Sequence, residues 1–230
     1  MTKPYMEDIP VKNKELLGIL ERYRKFMRDP LFEKNMHRVC QHEKDNRSFW
    51  VGERHLKDIV NQGHRHEGFP ETIYGYEVSV HRKNHEFFDK HADHKYRKDA
   101  TSELASLNNQ MMSFLGTRHN ALTAVYPPGG FISWHNNANA AAYNLIFSWS
   151  ENGSGRFKYV DPVSKEVVEM EDHEGWQCKA AYFGRYDEPE HLFYHAAETD
   201  CWRITVSFTF NTDQASLEFR EDVLEDIRTE

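Results

Sequence analysis

From residue 120 onward the chain is a succession of short apolar runs closed by Pro, Gly, Asn or Asp: NALTAVY, GGFISWH, AAYNLIFSWS, GRFKYV, KEVVEM, CKAAYFG, HLFYHA and WRITVSFTF. Runs of this length, rich in β-branched and aromatic residues and bounded by turn formers, read as strands. Eight of them joined by tight turns predict an antiparallel sandwich or barrel. Earlier in the chain the texture differs. NKELLGILERYRKFMRD (13–29) repeats Leu16, Leu20, Tyr23 and Met27 at helical spacing, with Pro30 marking its end. Leu104, Leu107, Met111 and Phe114 predict a helix over about 101–115, and PETIYGYEVSVHR (70–82) one or two strands. Leu217, Val223, Leu224 and Ile227 predict a closing helix over about 213–228. With no repeat, low-complexity segment or linker, the expectation is one domain over 1–230. In it 1–119 support a β core of 120–211, and 212–230 form a C-terminal helix.

Composition narrows the function classes. No run approaches eighteen apolar residues, so no membrane span is expected. The opening MTKPYMEDIPVKNKE lacks the apolar region of a signal peptide, which makes a cytoplasmic location the default. Residues 121–230 carry 8 basic against 19 acidic side chains, and the whole chain is at −8, which argues against a duplex nucleic-acid partner. The basic stretch 81–99 is interleaved with Glu86, Asp89, Asp93 and Asp99 and reads as a solvated helix surface. Cys40, Cys178 and Cys201 are widely spaced and read as buried reduced thiols. Ten histidines precede residue 120, His64/His66 and His91/His94 among them. With no cysteine beside them they predict no second metal site.

Three features of the β region belong together. His135 follows YPPGGFISW, His195 stands near the end of HLFYHA, and Arg203 opens the last run with Thr205 two residues on. Residues two apart on a strand share a face, so Arg203 and Thr205 can grip one ligand. A guanidinium inside a β core needs an anionic partner, and a small dicarboxylate bound end-on is a natural one. Two histidines from separate strands of the same barrel would hold a metal near that ligand's other end. Plainer readings stand beside these. Asn136, Asn137 and Asn139 are also turn formers, Arg203 could pair with Glu198 or Asp200 at a rim, and Tyr126 could be a core aromatic. Asn144 could bind a carboxylate or satisfy backbone.

The pattern resembles the iron(II)/2-oxoglutarate-dependent oxygenases, in particular their prolyl-hydroxylase-like branch. Tyr126, Gly129 and His135 match that branch's spacing of Tyr, Gly and first metal histidine, His195 its distal histidine, and Arg203-x-Thr205 its clamp for the 2-oxoglutarate C5 carboxylate. NLIFSWSENGSGRFKYVDP and GWQCKAAYFG are similar to its intervening strands, so the likeness spans roughly 120–211. It implies a double-stranded β-helix, the jelly-roll barrel of the cupin kind. It further implies Fe(II), 2-oxoglutarate and O2, and oxidation, usually hydroxylation, of an unactivated C–H bond in a small molecule or peptidyl side chain, with release of succinate and CO2. Metal ligation falls to His135 and His195, and cosubstrate binding to Arg203, Thr205, Tyr126 and Asn144.

The sequence departs from the family at two points. The family's His-x-Asp is here His135-Asn136-Asn137, so a neutral amide occupies the carboxylate position. Asn137 is read as a weak or water-mediated ligand. A halogenase-like variant with a bound halide, a carboxylate from Asp187, Glu188 or Glu190, and a jelly-roll binding module without catalysis are the alternatives. The interval from His195 to Arg203 is also short, which predicts a tight turn in AETDC and leaves His191 as second choice for the distal ligand.

Overall fold

The computed structural model describes residues 4–40, 46–78, 87–117, 119–137 and 140–230. The amino-terminal half supplies β1 (Glu7–Ile9), α1 (Lys14–Met27), α2 (Pro30–Asn35), β2 (Val39–Cys40), α3 (Arg47–Trp50), α4 (Glu53–Gln62), β3 (Ile73–Glu77) and α5 (His94–Leu115). Eight strands follow: β4 (His119–Tyr126), β5 (Phe131–His135), β6 (Ala142–Ser150), β7 (Gly155–Val160), β8 (Val167–Glu171), β9 (Gly175–Phe183), β10 (His195–Thr199) and β11 (Arg203–Phe210). Helix α6 (Gln214–Arg228) closes the chain.

The strands run antiparallel in the order β1–β9–β6–β11–β4–β3–β5–β10–β7–β8, with β2 added to β3. The eight strands of the second half thus divide into two four-stranded layers, β9–β6–β11–β4 and β5–β10–β7–β8, between which the chain passes back and forth. This is the double-stranded β-helix implied by the family resemblance, and one form of the antiparallel sandwich or barrel expected from the turn pattern. Strand β3 joins the layers, pairing Tyr76 and Glu77 with β4 and Ile73 and Tyr74 with β5. Gly75 sits at the crossing, where a Cβ would lie 2.6 Å from the Val125 carbonyl oxygen. Only glycine lets the strand fold over at that point.

Period-two alternation sorts the side chains into three cores. Ile204, Val206 and Phe208 of β11 face one way, onto α1, α5 and α6, in a cluster that runs from Ile9 to Ile227. Ala124, Tyr126, Ile146, Phe157, Tyr159, Ala181 and Phe183 fill the space between the layers, joined by Met6. Phe131, Trp134 and Tyr194 face outward from β5 and the segment before β10, beneath Val51, Leu56 and Ile59.

Five elements differ from the sequence reading. Pro30 does more than end α1: it opens α2 in the first turn, where the Asp29 side chain accepts from Leu31 N. Helices α3 and α4 were not anticipated, because α4 offers only His55, Leu56 and Ile59 as a buried stripe among charged residues. Helix α5 starts at His94, capped by Asp93, seven residues before the expected start at Thr101. Strand β10 begins at His195 instead of ending there, since Ala196–Thr199 are paired strand and not turn. Residues 81–86 of the basic stretch, 79–82 of the strand reading, and Asn139 lie outside the described residues. Cys178 and Cys201 are buried and free, and among the described residues no helix is long and apolar enough to cross a membrane.

Candidate functional site

Strands β5 and β10 bring the two histidines together. His135 lies opposite His195 and Ile132 opposite Ala197, so three steps on β5 match two on β10. That bulge turns both Ile132 and His135 inward, where strict alternation would have sent them to opposite faces. Ser133 pins it, donating its N–H to the Thr72 carbonyl at 3.0 Å and accepting from Thr72 N through its hydroxyl at 3.2 Å.

The imidazole centroids are 4.1 Å apart. Each Nδ1 faces the carbonyl oxygen two residues back, Ser133 O at 2.8 Å and Phe193 O at 3.3 Å. That favours the proton on Nδ1 and presents the other nitrogen as the lone-pair donor, the orientation metal-binding histidines adopt. Burial pushes His135 down to about 4. Burial, with His135 beside it, holds His195 well below the usual imidazole range. Both are therefore neutral at pH 7, as ligation requires. Phe157, Phe183 and Phe193 surround the His195 ring at centroid distances of 5.6, 4.8 and 5.7 Å.

Arg203 lies inside the same barrel, 1% exposed. It opens β11 opposite Tyr126 and Ser150, while Thr205 lies opposite Ala124 and Ser148. Its Nη1 donates to Thr205 Oγ1 at 2.6 Å, its Nη2 to Ser148 Oγ at 3.0 Å and its Nε to Asp172 Oδ2 at 2.7 Å. The fork thus reaches one rung along β11 and β6, away from the turn that links β10 to β11 and toward the histidine end. Asp172 is wholly buried and also receives Lys179 Nζ at 3.4 Å; that ammonium donates to Gln177 Oε1 at 2.7 Å. Burial alone would raise the Asp172 carboxyl, but Arg203 and then Lys179 more than offset it and hold it below the usual range. A Cβ at Gly155 would come within 2.5 Å of Asp172 Oδ2 and 3.4 Å of Arg203 Cδ. Gly155→Ala is expected to displace this ion pair and lower stability by about 1–3 kcal/mol. A denaturant midpoint equal to wild type would show that the cluster has slack.

His195 and Thr199 are four residues apart on β10, about 13 Å of strand. The inward positions between the two ends carry the methyl groups of Ala197, Ala181 and Ala124 together with the larger side chains of Ile132, Ile146 and Phe157. The structure therefore brings together His135 and His195 at one end and Arg203, Thr205 and Tyr126 toward the other. Tyr126 is buried, and burial pushes its hydroxyl up. Asn144 is buried with its amide donating to Ala142 O at 3.2 Å.

Asn137 takes the left-handed conformation, φ 62°, and its carbonyl accepts from Ala140 N. The adjoining Asn136 is buried beside the Tyr194 hydroxyl without a well-formed hydrogen bond. His191 lies apart from His135, its ring against Tyr182 and its Nδ1 3.2 Å from the Tyr5 hydroxyl. Glu188 accepts from Tyr182 and Arg185 N, and Asp187 and Glu190 are exposed. Among the described residues no three His, Cys, Asp or Glu side chains are placed to hold a metal, and the pair that meets is His135 and His195. Arg203 is no rim residue: Glu198 pairs with Lys158 and Asp200 with Arg47.

Sequence reasoning missed Asp172, Lys179 and Ser148. Asp172 is hidden in the acidic stretch EMEDHEG. Lys179 did carry a signal, as the one charge in CKAAYFG and in phase with the inward Ala181 and Phe183.

No family model matches the chain, and no curated protein matches it. Among solved structures it is similar to a Pseudomonas putida prolyl-4-hydroxylase, at 10% identity over 92% of this chain and 94% of that one, with a TM-score of 0.43. It is also similar to a viral collagen prolyl hydroxylase from Paramecium Bursaria Chlorella virus-1 in a 2OG complex, at 9% identity over 89% of this chain and 94% of that one, TM-score 0.35. A ribosomal oxygenase from Escherichia coli matches at 14% identity over 52% of this chain and 30% of that one, TM-score 0.29. At these identities and TM-scores the likenesses carry no argument about chemistry, which has to come from the side chains.

Proposed function

We propose that the chain is an iron(II)/2-oxoglutarate-dependent oxygenase that hydroxylates a C–H bond of a small molecule or an amino-acid side chain. The observation that carries this reading is the meeting of two neutral, carbonyl-oriented histidines at one end of a barrel whose interior also holds a buried arginine fork. His135 and His195 would hold Fe(II). Arg203 and Thr205, with Tyr126 opposite, would bind the distal carboxylate of 2-oxoglutarate. When bound, iron and cosubstrate supply the oxidising power, with O2 consumed and succinate and CO2 released.

The protein's own part is placement and exclusion of water. Ser133 and Phe193 carbonyls fix the imidazoles. Phe157, Phe183 and Phe193 keep the histidine end dry, which favours C–H oxidation over side reactions. Substrate choice falls to loops around that end. Gly68 O accepts from Asn136 N, and the Tyr186 hydroxyl donates to His66 O, so the segments 63–70 and 185–191 meet beside His135.

The test is an anaerobic titration with Fe(II) and 2-oxoglutarate. A weak visible charge-transfer band, a thermal shift needing both components, and succinate formation on admitting O2 are expected. With only two imidazoles, the site should hold Fe(II) loosely until 2-oxoglutarate adds its oxygens. Asn137→Asp is expected to tighten Fe(II) binding without cosubstrate. Equal binding by the two proteins would make Asn137 a turn residue alone. Absence of both band and thermal shift in wild type would favour a jelly-roll binding module.

A further inference from the structure

Inside the barrel two cations share one anion. Arg203 and Lys179 both bind Asp172, and the three side chains are 2%, 1% and 0% exposed. The neighbours that complete the cluster, Thr205, Ser148 and Gln177, are neutral. Asp8, opposite Lys179 on β1, is exposed, and Glu77 acts on Tyr126. Among the described residues the buried cluster therefore holds two cations against one anion in direct contact. Two buried cations sharing one carboxylate are costly to desolvate, and a methionine would fill much the same space as Lys179. Burial indeed pushes the Lys179 ammonium down, and Arg203 works in the same direction against the pull of Asp172.

We propose that Lys179 is a specificity-determining residue, whose charge offsets Asp172 so that the Arg203 fork keeps a full positive charge for a ligand carboxylate. Asp172 is then the positioning residue that holds the fork by its Nε, while Nη1 and Nη2, bonded to Thr205 and Ser148, each keep a second N–H for the ligand. One incoming carboxylate makes the cluster neutral: two cations, Asp172 and the ligand. Without Lys179, Arg203 and Asp172 already balance and the carboxylate arrives as an excess charge. The site so built selects a carboxylate over its uncharged amide. This inference rests on the 2-oxoglutarate reading given above.

Lys179→Met, Lys179→Gln and Lys179→Arg are compared with wild type by calorimetry under anaerobic Fe(II), using 2-oxoglutarate and its distal amide, 2-oxoglutaramate, as probes. Apo stability is followed by urea denaturation. A unit charge one carboxylate away, in a medium of effective dielectric about 20, alters an anion's affinity by roughly tenfold to fiftyfold. Lys179→Met and Lys179→Gln are expected to lose that much affinity for 2-oxoglutarate and to shrink the acid-over-amide ratio by the same factor. Apo stability should be unchanged or higher, and Lys179→Arg should keep the wild-type ratio. A lysine serving only the fold would give the reverse, a less stable protein with its acid-over-amide ratio intact, and that result overturns the inference. If Met and Gln fail to fold, Lys179→Arg decides, because a ratio lost while charge is kept is equally fatal. Wild type that binds neither probe is a different outcome, since it removes the 2-oxoglutarate reading itself.

Discussion

Arg203→Ala is expected to weaken 2-oxoglutarate by about 2–5 kcal/mol, the usual loss when one partner of a desolvated charge pair is truncated. Fe(II) affinity should not change, because the imidazoles sit at the opposite end of β10 from the arginine's neighbours Thr199 and Gly155. The same substitution should lower apo stability by roughly 2–4 kcal/mol, as Thr205 and Ser148 lose their donor and Asp172 loses its nearer cation. Lys179 limits that loss, since it remains beside the carboxylate. Arg203→Lys keeps the charge but not the fork, and a point charge cannot serve Asp172, Thr205 and Ser148 together. It should fall between wild type and alanine in both measurements. Calorimetry with 2-oxoglutarate and urea denaturation of all three proteins give the answer. Unchanged cosubstrate affinity in both variants, with stability lost as expected, would leave Arg203 a structural residue and the proposed clamp without its cation.

How far the sequence reaches is visible in the parts of this site. Strand spacing and turn residues foretold an antiparallel sandwich or barrel because alternation is local: Arg203, Thr205 and Ser207 alternate with Ile204, Val206 and Phe208, and each set meets a different core. The convergence of His135 and His195 was expected from a family resemblance, while the bulge that makes it possible is invisible in FISWH. A bulge depends on the partner strand and on Thr72, sixty-one residues before Ser133 in the sense that only the fold brings them together. The start of β10 was misplaced because LFY looks more strand-like than AAET, yet pairing with β5 and β7 begins at His195. Asp172 escaped notice for the same reason. An acidic residue among others reads as surface, and only the fold brings it to Arg203, its N–H donating to the Gly155 carbonyl beside that arginine. Asn137 stayed open in sequence, and its left-handed backbone shows the conformational need that asparagine meets at that turn.

The apo protein is expected to lose stability as pH falls from about 6.5 to about 4, with His135 responsible for a defined share. The folded state keeps this imidazole neutral down to about 4, whereas an unfolded chain protonates it near 6.5. Between those values the unfolded state holds a proton that the folded state refuses, so the contribution is intact above pH 6.5 and gone once pH reaches the folded value. At about 1.4 kcal/mol per pH unit this amounts to roughly 3 kcal/mol. His195 acts in the same direction, and so do His55 and His66, each lowered chiefly by burial. The measurement is therefore a comparison: urea denaturation of wild type and His135→Gln at intervals from pH 7.5 to 4. Glutamine cannot titrate, so its curve should be flatter by at least about that amount, because His195 also loses the opposing effect of His135, while His55 and His66 act on both proteins alike. His135→Gln should also abolish Fe(II) binding at pH 7, because one imidazole does not hold the ion. Loading wild type with Fe(II) and 2-oxoglutarate should raise stability at pH 7 and make the acid loss steeper, since protons compete with metal for the same nitrogens. Parallel curves for wild type and His135→Gln would mean that the imidazole is solvated and charges freely, and an imidazole in that state is not poised as a ligand.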